Sequence, residues 1–521
     1  MNLKLMLADT VRRYGRKTGI ILADRRLAYA QLDKASNKIA NALIKMGVRK
    51  GDRVVMLLPN SLEFVIIYFG IVKAGGIAVP LDARYKVGEL AFLFGDCQPR
   101  VLVAESPFLE PLIPLLPQFS YIKHVINLNS RYEGQFSSYP EIMATASPTT
   151  VNVELDPEDI ATILYTSGPT LHPRGVMVSH HHLLMQAIIA GDGFRQSDND
   201  VVMLFALPLH HAFGLIMVLL ASIAKGSTVV IVPGTGLSIA SFMAAIEKEK
   251  GTIFLGVPYI FALAVSLAKE EGIKNDLSSL RLCGSGGAPL PTNVIRRFKH
   301  HYGLTIIDLW GLTEAVALVT CPPGGGTGKL GSVGKALPGW EVKIVDDRGK
   351  QLPPNQLGEI IIAGPIMNGY YNNPQATAET IKDGWLHTGD IGCVDEHGYL
   401  FLSGRKKEII IVKGQNIYPS DIEEVLSTHP KIAEARVIGI PDKLRGEIVG
   451  VVIRSKKRMV TTAQDIRHFC LERLANYKVP KQIIFLESLP KTAAGKISWE
   501  DLKAYLSTLP RRPFPFIRKP K

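Results

Sequence analysis

Helical and strand patterns alternate along most of this chain, and that alternation leaves few folds open to it. From Leu27 onward, Ala30 to Met46 carries the spacing of an amphipathic helix, Asp52-Arg-Val-Val-Met-Leu-Leu58 reads as a buried strand, and Leu62 to Ala74 reads as an apolar helix closed by Gly75-Gly76. Similar units recur at Arg100 to Ala104, Val201 to Leu207, Thr228 to Val232, Thr252 to Gly256 and Arg281 to Gly284. Strands that are apolar on both faces and separated by helical stretches form parallel sheets covered by helices, so the expected class is α/β. After Gly331 the pattern changes to strands and turns, as in Val342-Lys-Ile-Val-Asp-Asp-Arg-Gly349 and Gly358-Glu-Ile-Ile-Ile362, which predicts a β-rich lobe. A small mobile α+β domain is expected to begin near Gly404, giving residues 1–403, 404–510 and a tail at 511–521. At 521 residues and 46% hydrophobic content, two or more domains are expected.

Several function classes are argued against. The longest apolar helical stretch, Ala212 to Ala224, is too short for a membrane span and reads as a core helix. No apolar run near Met1 resembles a signal peptide, so a cytoplasmic location is expected. Cys97, Cys283, Cys321, Cys393 and Cys470 are odd in number and widely spaced, which argues against disulfides and a zinc site. From Gly404 to Lys521 there are 24 Lys and Arg of the 60 in the chain, against 12 Asp and Glu of the 47, so nearly all the net charge of +13 lies there. These lysines are interspersed with Glu and apolar strand residues rather than strung along one helix with stacking aromatics, so no nucleic-acid partner is expected. A basic cap over phosphates accounts for the asymmetry, and peripheral membrane contact and a dimer stay open. Only Arg511-Arg-Pro-Phe-Pro-Phe-Ile-Arg-Lys-Pro-Lys521 reads as a solvated extended tail.

Chemistry enters at Tyr165-Thr-Ser-Gly-Pro-Thr-Leu-His-Pro-Arg-Gly-Val176, which follows the apolar run Ile160 to Leu164. Backbone N–H and side-chain O–H groups of such a loop can approach polyphosphate oxygens closely, with Arg174 as a fixed cation. A Ser/Thr/Gly/Pro surface turn has the same composition, and the segment alone does not decide. It resembles the phosphate loop of the acyl-adenylate-forming superfamily, which holds acyl-CoA synthetases, peptide-synthetase adenylation domains and luciferases. The resemblance points to Thr166, Ser167, Gly168, Thr170, Arg174 and Gly175 as nucleotide contacts, and Pro169, Leu171 and Arg174 depart from the family pattern. Pro169 removes an N–H and Leu171 replaces a glycine, so weakened triphosphate binding is expected.

Other elements follow in the family's order. Asp308-Leu-Trp-Gly-Leu-Thr-Glu314 resembles its Y-G-x-T-E element: Trp310 would stack on adenine beside Asp308, Thr313 would bond the α-phosphate, and Glu314 would hold Mg²⁺ with Thr166. Gly286, Gly287 and Ala288 in Leu282-Cys-Gly-Ser-Gly-Gly-Ala-Pro-Leu290 match the turn whose backbone edge touches adenine. In Asp383 to Asp390 and Leu402 to Glu408, Asp390 would accept the ribose hydroxyls, Arg405 would contact the same nucleotide, and Lys407 would be the hinge. Lys496, in Pro490-Lys-Thr-Ala-Ala-Gly-Lys496, would neutralise charge as the acyl-phosphate bond forms. Leu207-Pro-Leu-His-His-Ala-Phe-Gly214 resembles the aromatic-histidine motif, with His210 where an aromatic is common. His211, Phe213, Gly286 and Gly311 would then shape the acyl pocket, Gly311 by leaving room beside Trp310.

Two decoys fail. Gly324-Gly-Gly-Thr-Gly-Lys329 lacks the leading glycine of a Walker loop and its trailing hydroxyl. The run His180-His-His182 cannot converge on one ion, because adjacent helical residues diverge by about 100°.

The resemblance covers about Leu27 to Ile497. Lys413-Gly-Gln-Asn-Ile-Tyr-Pro419 looks like the CoA-ligase small domain and places Lys413, Gly414 and Gln415 on the CoA side. It implies an acid–thiol ligase that uses ATP, Mg²⁺ and CoA on a carboxylic acid, medium- or long-chain or cyclic. The alternatives are an acyl-AMP ligase that loads a carrier protein and a non-catalytic nucleotide- or acyl-binding homologue.

Overall fold

The computed structural model describes residues 1–129, 136–166, 173–232, 238–272, 275–326, 328–412, 415–442, 446–456, 459–474, 476, 478–489 and 502. They fall into two compact units, the first running to Ile409 and the second starting at Ile410.

The first unit contains two seven-stranded sheets. One has the spatial order Ser137–Ser138, His124–Asn127, Val101–Ala104, Arg53–Leu57, Ile77–Pro80, Ile160–Thr166, Arg174–Ser179. Its neighbours are parallel except for the last pair, an antiparallel ladder that sets Thr166 opposite Arg174. The other sheet runs Ile306–Asp308, Leu282–Ser285, Ile253–Gly256, Val201–Phe205, Thr228–Val232, Thr18–Leu22, Arg25–Ala28, and again only the last pair is antiparallel. Thr228–Val232 is buried at every position, as a strand covered on both faces must be. The α/β expectation therefore holds.

Helix Leu62–Lys73 is buried everywhere except Glu63, which is why its sequence is apolar around the whole circumference. Ser61 caps it, its Oγ accepting from the Phe64 N–H at 3.0 Å. Lys73, also buried, donates to the Asp33 carboxylate at 2.7 Å and to Asn37 Oδ1 at 2.7 Å, fastening this helix to helix Tyr29–Lys45. A lone charge there would be strongly disfavoured, and the paired carboxylate offsets part of its desolvation.

The stretch expected to be a core helix, Ala212 to Ala224, is buried over most of its length but is not one α-helix. Phe213–Leu220 winds as a π-helix and passes into the α-helical turn Ala221–Lys225, with the Ala221 N–H donating to Ile216 O, five residues back. Gly214 admits the chain's doubling back, since a Cβ there would overlap the Pro208 carbonyl, 2.9 Å from its carbon.

The β-rich lobe is an antiparallel sheet of Glu341–Val345, Gly358–Ala363, Trp385–Val394 and Ile381–Lys382, with Leu400–Arg405 paired to Trp385–Val394. That last pairing puts Arg405 opposite Asp390, so the strand stays with the first unit and the division falls beyond Gly404. The second unit has a sheet of Gln415–Ile417, Ile410–Val412, Gly446–Ser455, Ile432–Asp442 and Gln482–Phe485, with helices Pro419–Ser427 and Ala463–Leu471. Its core includes Ile422, Leu426, Val437, Val451 and Ile466. Among the described residues no helix is long and apolar enough to cross a membrane.

Candidate active site

In open α/β sheets, ligands bind beyond the carboxyl ends of the strands. Here the motif residues lie just past such ends: Gly286 and Gly287 follow Leu282–Ser285, the Leu309 to Glu314 segment follows Ile306–Asp308, and the His210-His211 loop follows Val201–Phe205. Leu282–Ser285 and Ile306–Asp308 are adjacent and parallel, with Ser285 in register with Asp308. Burial raises the Asp308 carboxyl well above the usual carboxylate range, and one hydrogen bond from the Leu309 N–H, at 3.1 Å, opposes it.

Three residues singled out from separate motifs meet at one carboxylate. The Trp310 Nε1–H donates to Asp390 Oδ2 at 2.8 Å, and Arg405 Nε lies 3.1 Å from Asp390 Oδ1. Asp390 is buried, and its own N–H donates to Thr388 Oγ1 at 3.0 Å. A carboxylate held on both oxygens by an indole and a guanidinium has its plane fixed, which suits it to accepting two neighbouring hydroxyls.

A second group forms around Glu314. The turn Thr313–Ala315 presents it, and the Tyr370 hydroxyl donates to Glu314 Oε1 at 3.0 Å. The Arg174 guanidinium lies over the Tyr370 ring, 5.2 Å from its centroid. Two backbone bonds hold the segment bearing Tyr370 in place: the Tyr371 N–H to Gly175 O at 2.7 Å and the Met367 N–H to Glu314 O at 2.8 Å. Thr166 Oγ1 makes a long contact of 3.5 Å with Arg174 O.

The residues expected on the acyl side pack by shape. A Cβ on Gly286 would sit 3.4 Å from Phe213 Cε1 and 3.3 Å from Leu309 O, so Phe213 and Gly286 adjoin. His211 Nδ1 accepts from the Phe213 N–H at 3.4 Å. His210 Nε2 stands 3.6 Å from Asp82 Oδ2, whose two oxygens also accept a fork from Arg84 at 2.9 and 2.8 Å. Burial pushes the His210 imidazole down to about 4 although Asp82 pulls the other way, so it is neutral near pH 7.

With this geometry in view, the chain matches the family described as AMP-binding enzyme over residues 7–371, and that family's C-terminal domain over 421–496. It is 33% identical to a long-chain-fatty-acid–CoA ligase of Bacillus subtilis over 95% of this chain and 93% of the other. It is 34% identical to an indoleacetate–CoA ligase of Aromatoleum aromaticum over 94% of each. An anthranilate CoA ligase solved with anthranoyl-AMP superposes with a TM-score of 0.90 at 30% identity, covering 97% of both chains. ATP-bound MatB from Rhodopseudomonas palustris gives 0.89 at 28%, covering 98% of this chain and 99% of the other. The chain belongs to the AMP-binding enzymes.

This AMP-binding enzyme is an acid–thiol ligase that uses ATP, Mg²⁺ and CoA. Its residues fit a magnesium ion delivered with the nucleotide. Among the described residues no cluster of three or more His, Cys, Asp or Glu could hold a metal alone. Glu314, however, offers a hard oxygen, since Tyr370 occupies only Oε1. Magnesium keeps several waters and is commonly bound by one or two carboxylates plus substrate phosphates, and the second oxygen of Glu314 would supply such a carboxylate where a phosphate lay beside it.

One reading of the sequence is overturned. A Cβ on Gly311 would overlap the Ala317 carbonyl oxygen and lie 2.6 Å from its carbon. The missing side chain of Gly311 therefore admits a backbone crossing and does not leave space for an acyl group. Ser167, Gly168, Pro169, Thr170, Leu171, Lys413, Gly414, Lys496 and residues 511–521 lie outside the described residues. Lys407 falls in the turn Lys406–Glu408, just before the division between the units, and Gln415 opens the strand Gln415–Ile417.

Sequence reasoning missed two residues of this AMP-binding enzyme. Tyr370 is one, signalled only by an aromatic pair after Gly369 and before Asn372-Asn373-Pro374. Asn60 is the other: its Nδ2 donates to Leu207 O at 2.8 Å and its Oδ1 accepts from the Leu209 N–H at 2.8 Å, which pins the loop that carries His210 and His211. A Pro-Asn pair between strand and helix was its sequence signal.

Proposed function

We propose that this enzyme activates a medium- or long-chain fatty acid, or a cyclic acid of similar bulk, as its acyl-adenylate and passes the acyl group to CoA. The carboxylate oxygen attacks the α-phosphorus of ATP and pyrophosphate leaves. The CoA sulfur, having lost its proton, then attacks the acyl carbonyl carbon, and AMP departs with the C–O bond electrons. In the first step Thr166, Ser167, Gly168, Thr170, Arg174 and Gly175 cradle the phosphates, and Gly286, Gly287, Ala288, Asp308 and Trp310 receive the adenine. Asp390 and Arg405 take the ribose, and Thr313 and Lys496 act at the α-phosphate. Glu314 would hold the metal ion, which when bound would supply positive charge against the phosphate oxygens. Lys407 is the hinge, and Lys413, Gly414 and Gln415 serve the CoA half-reaction.

The acid class rests on one observation. Phe213, at the start of the wholly apolar segment Phe213–Leu220, adjoins the side-chain-free surface of Gly286 at the edge of the nucleotide residues. A wall of ring edge and bare backbone favours an uncharged, bulky acyl group over a short or charged one. The names of the similar proteins, spanning fatty-acid and aromatic acids, support the same range.

Pyrophosphate release across a panel of fatty, aromatic, cyclic and dicarboxylic acids, with CoA thioester measured in parallel, tests this. Uncharged acids of six or more carbons should head the panel. Preference for acetate or a dicarboxylate would overturn the acid class. A thioester formed on a phosphopantetheinyl carrier but not on CoA would favour carrier loading, and no pyrophosphate with any acid would favour a binding homologue.

A further inference from the structure

Tyr370 stands between the two charges that the adenylation reading assigns to the triphosphate end. Its hydroxyl donates to Glu314 at 3.0 Å, and the Arg174 guanidinium lies over its ring at 5.2 Å from the centroid. A phenol can donate and an ionised carboxylate can only accept, so the hydroxyl is the donor toward Glu314, while the Arg174 side chain also hydrogen-bonds to Tyr370. The ring is buried and its backbone is fixed on several sides. Tyr370 bridges Val176, its N–H donates to Thr377 Oγ1 at 2.9 Å, and the next N–H binds Gly175 O. Among the described residues no ion pair joins Arg174 to Glu314, although both approach the same side chain.

That absence matters chemically. A guanidinium and a carboxylate brought to within about 4 Å form a strong bidentate pair. Such a pair would withdraw the cation from phosphate and the carboxylate from the metal. An aromatic ring offers the guanidinium a favourable face without neutralising it, and a phenol donor orients the carboxylate while using one oxygen only. We propose that Tyr370 is a positioning residue that keeps Arg174 and Glu314 apart, holding the first for triphosphate and the second for the metal ion. The inference rests on the adenylation reading and adds a residue to it.

Equilibrium binding tests it without turnover. Mn²⁺, a paramagnetic probe, is titrated into enzyme with ATP and followed by electron spin resonance, and ATP binding in EDTA is followed separately. Tyr370→Phe keeps the ring and loses the donor, so Mn²⁺ binding should weaken about five- to tenfold while metal-free ATP binding stays unchanged. Tyr370→Leu also loses the separator, so Arg174 turns to Glu314 and metal-free ATP binding should weaken about tenfold too. Adding Glu314→Gln to Tyr370→Leu frees Arg174 again and should restore metal-free ATP binding to within about twofold of wild type, which no folding defect would do. Unchanged Mn²⁺ binding in Tyr370→Phe, or no recovery in the double variant, would overturn the proposal. Wild type that binds neither ATP nor Mn²⁺ with ATP would instead sink the adenylation reading.

Discussion

The residues proposed for the nucleotide and those proposed for the acyl group are held by different physical principles. Around Asp390 and Glu314, polar side chains fix one another: an indole N–H and a guanidinium hold one carboxylate, and a phenol holds the other. Around Phe213, shape is set by missing atoms, with Gly286 against a ring edge and Gly214 against Pro208. The first region should therefore lose function in proportion to the hydrogen bonds removed. The second should respond to added volume steeply, with the outcome set by what each absent Cβ faces.

The largest effect of an added methyl is expected at Gly311, which packs on the Ala317 carbonyl by the same missing-atom principle. Gly311→Ala drives a methyl into backbone that cannot move aside, and destabilisation of ~4 kcal/mol or more, measured by urea denaturation, is expected. A stable Gly311→Ala enzyme with altered chain-length preference would return Gly311 to the acyl pocket. On the nucleotide side, Asp390→Asn keeps the volume and removes the charge. It should lower kcat/KM for ATP about a hundredfold, with the melting temperature nearly unchanged and little effect on KM for the acid. An equal rise in both KM values would mean that the network serves general packing.

His210 sharpens the contrast by pH. Its folded pKa lies at about 4 against an ordinary 6.5, so below 6.5 the unfolded chain takes a proton that the folded enzyme refuses until about 4. Stability should fall as pH drops through that window, by on the order of 2–3 kcal/mol from this group. His210→Gln should flatten the loss between pH 6.5 and 4, and an unaltered profile would place the acid sensitivity elsewhere. The mildest expected change is Gly286→Ala. Contacts of 3.3 and 3.4 Å need a yield of only a few tenths of an ångström, so the protein should fold and discriminate against the bulkiest acids by a further ~3- to 10-fold. If preference across the acid panel does not move, Phe213 and Gly286 do not wall the acyl group.

The same division explains what could be read from the chain in advance. Trp310, Asp390 and Arg405 could be singled out because their motifs, in that order along the chain, resemble those of a known family. Alone they read equally as a core tryptophan, a turn aspartate and a solvated cation. The alternation of apolar strands and helices fixes the sheets. Strand Thr18–Leu22 was passed over because it is short and precedes the alternation. The winding of Phe213–Leu220 was invisible for a different reason. A segment apolar on every side has no hydrophobic phase, so nothing in it distinguishes one helical pitch from another. Gly311 was misread because the direction of an absent Cβ exists only in three dimensions. Tyr370 and Asn60 escaped notice because each acts on residues distant in sequence, Tyr370 on Arg174 and Glu314, Asn60 on Leu207 and Leu209.

The π-wound stretch from Phe213 also limits how this protein can change over time. A π turn holds one residue more than the α turn it replaces, so deleting a single residue within Phe213–Leu220 would relax it to ordinary pitch. Side chains on the two sides would keep nearly the same relative phase, because one residue fewer at the tighter pitch sweeps nearly the same angle. The change would be local to the wide turn that carries Phe213 and Gly214. Gly214 is the exception to free exchange, since a Cβ there would overlap the Pro208 carbonyl. Lineages descending from such a chain should vary the other letters among apolar residues, tolerate the loss of one of them, and keep the glycine.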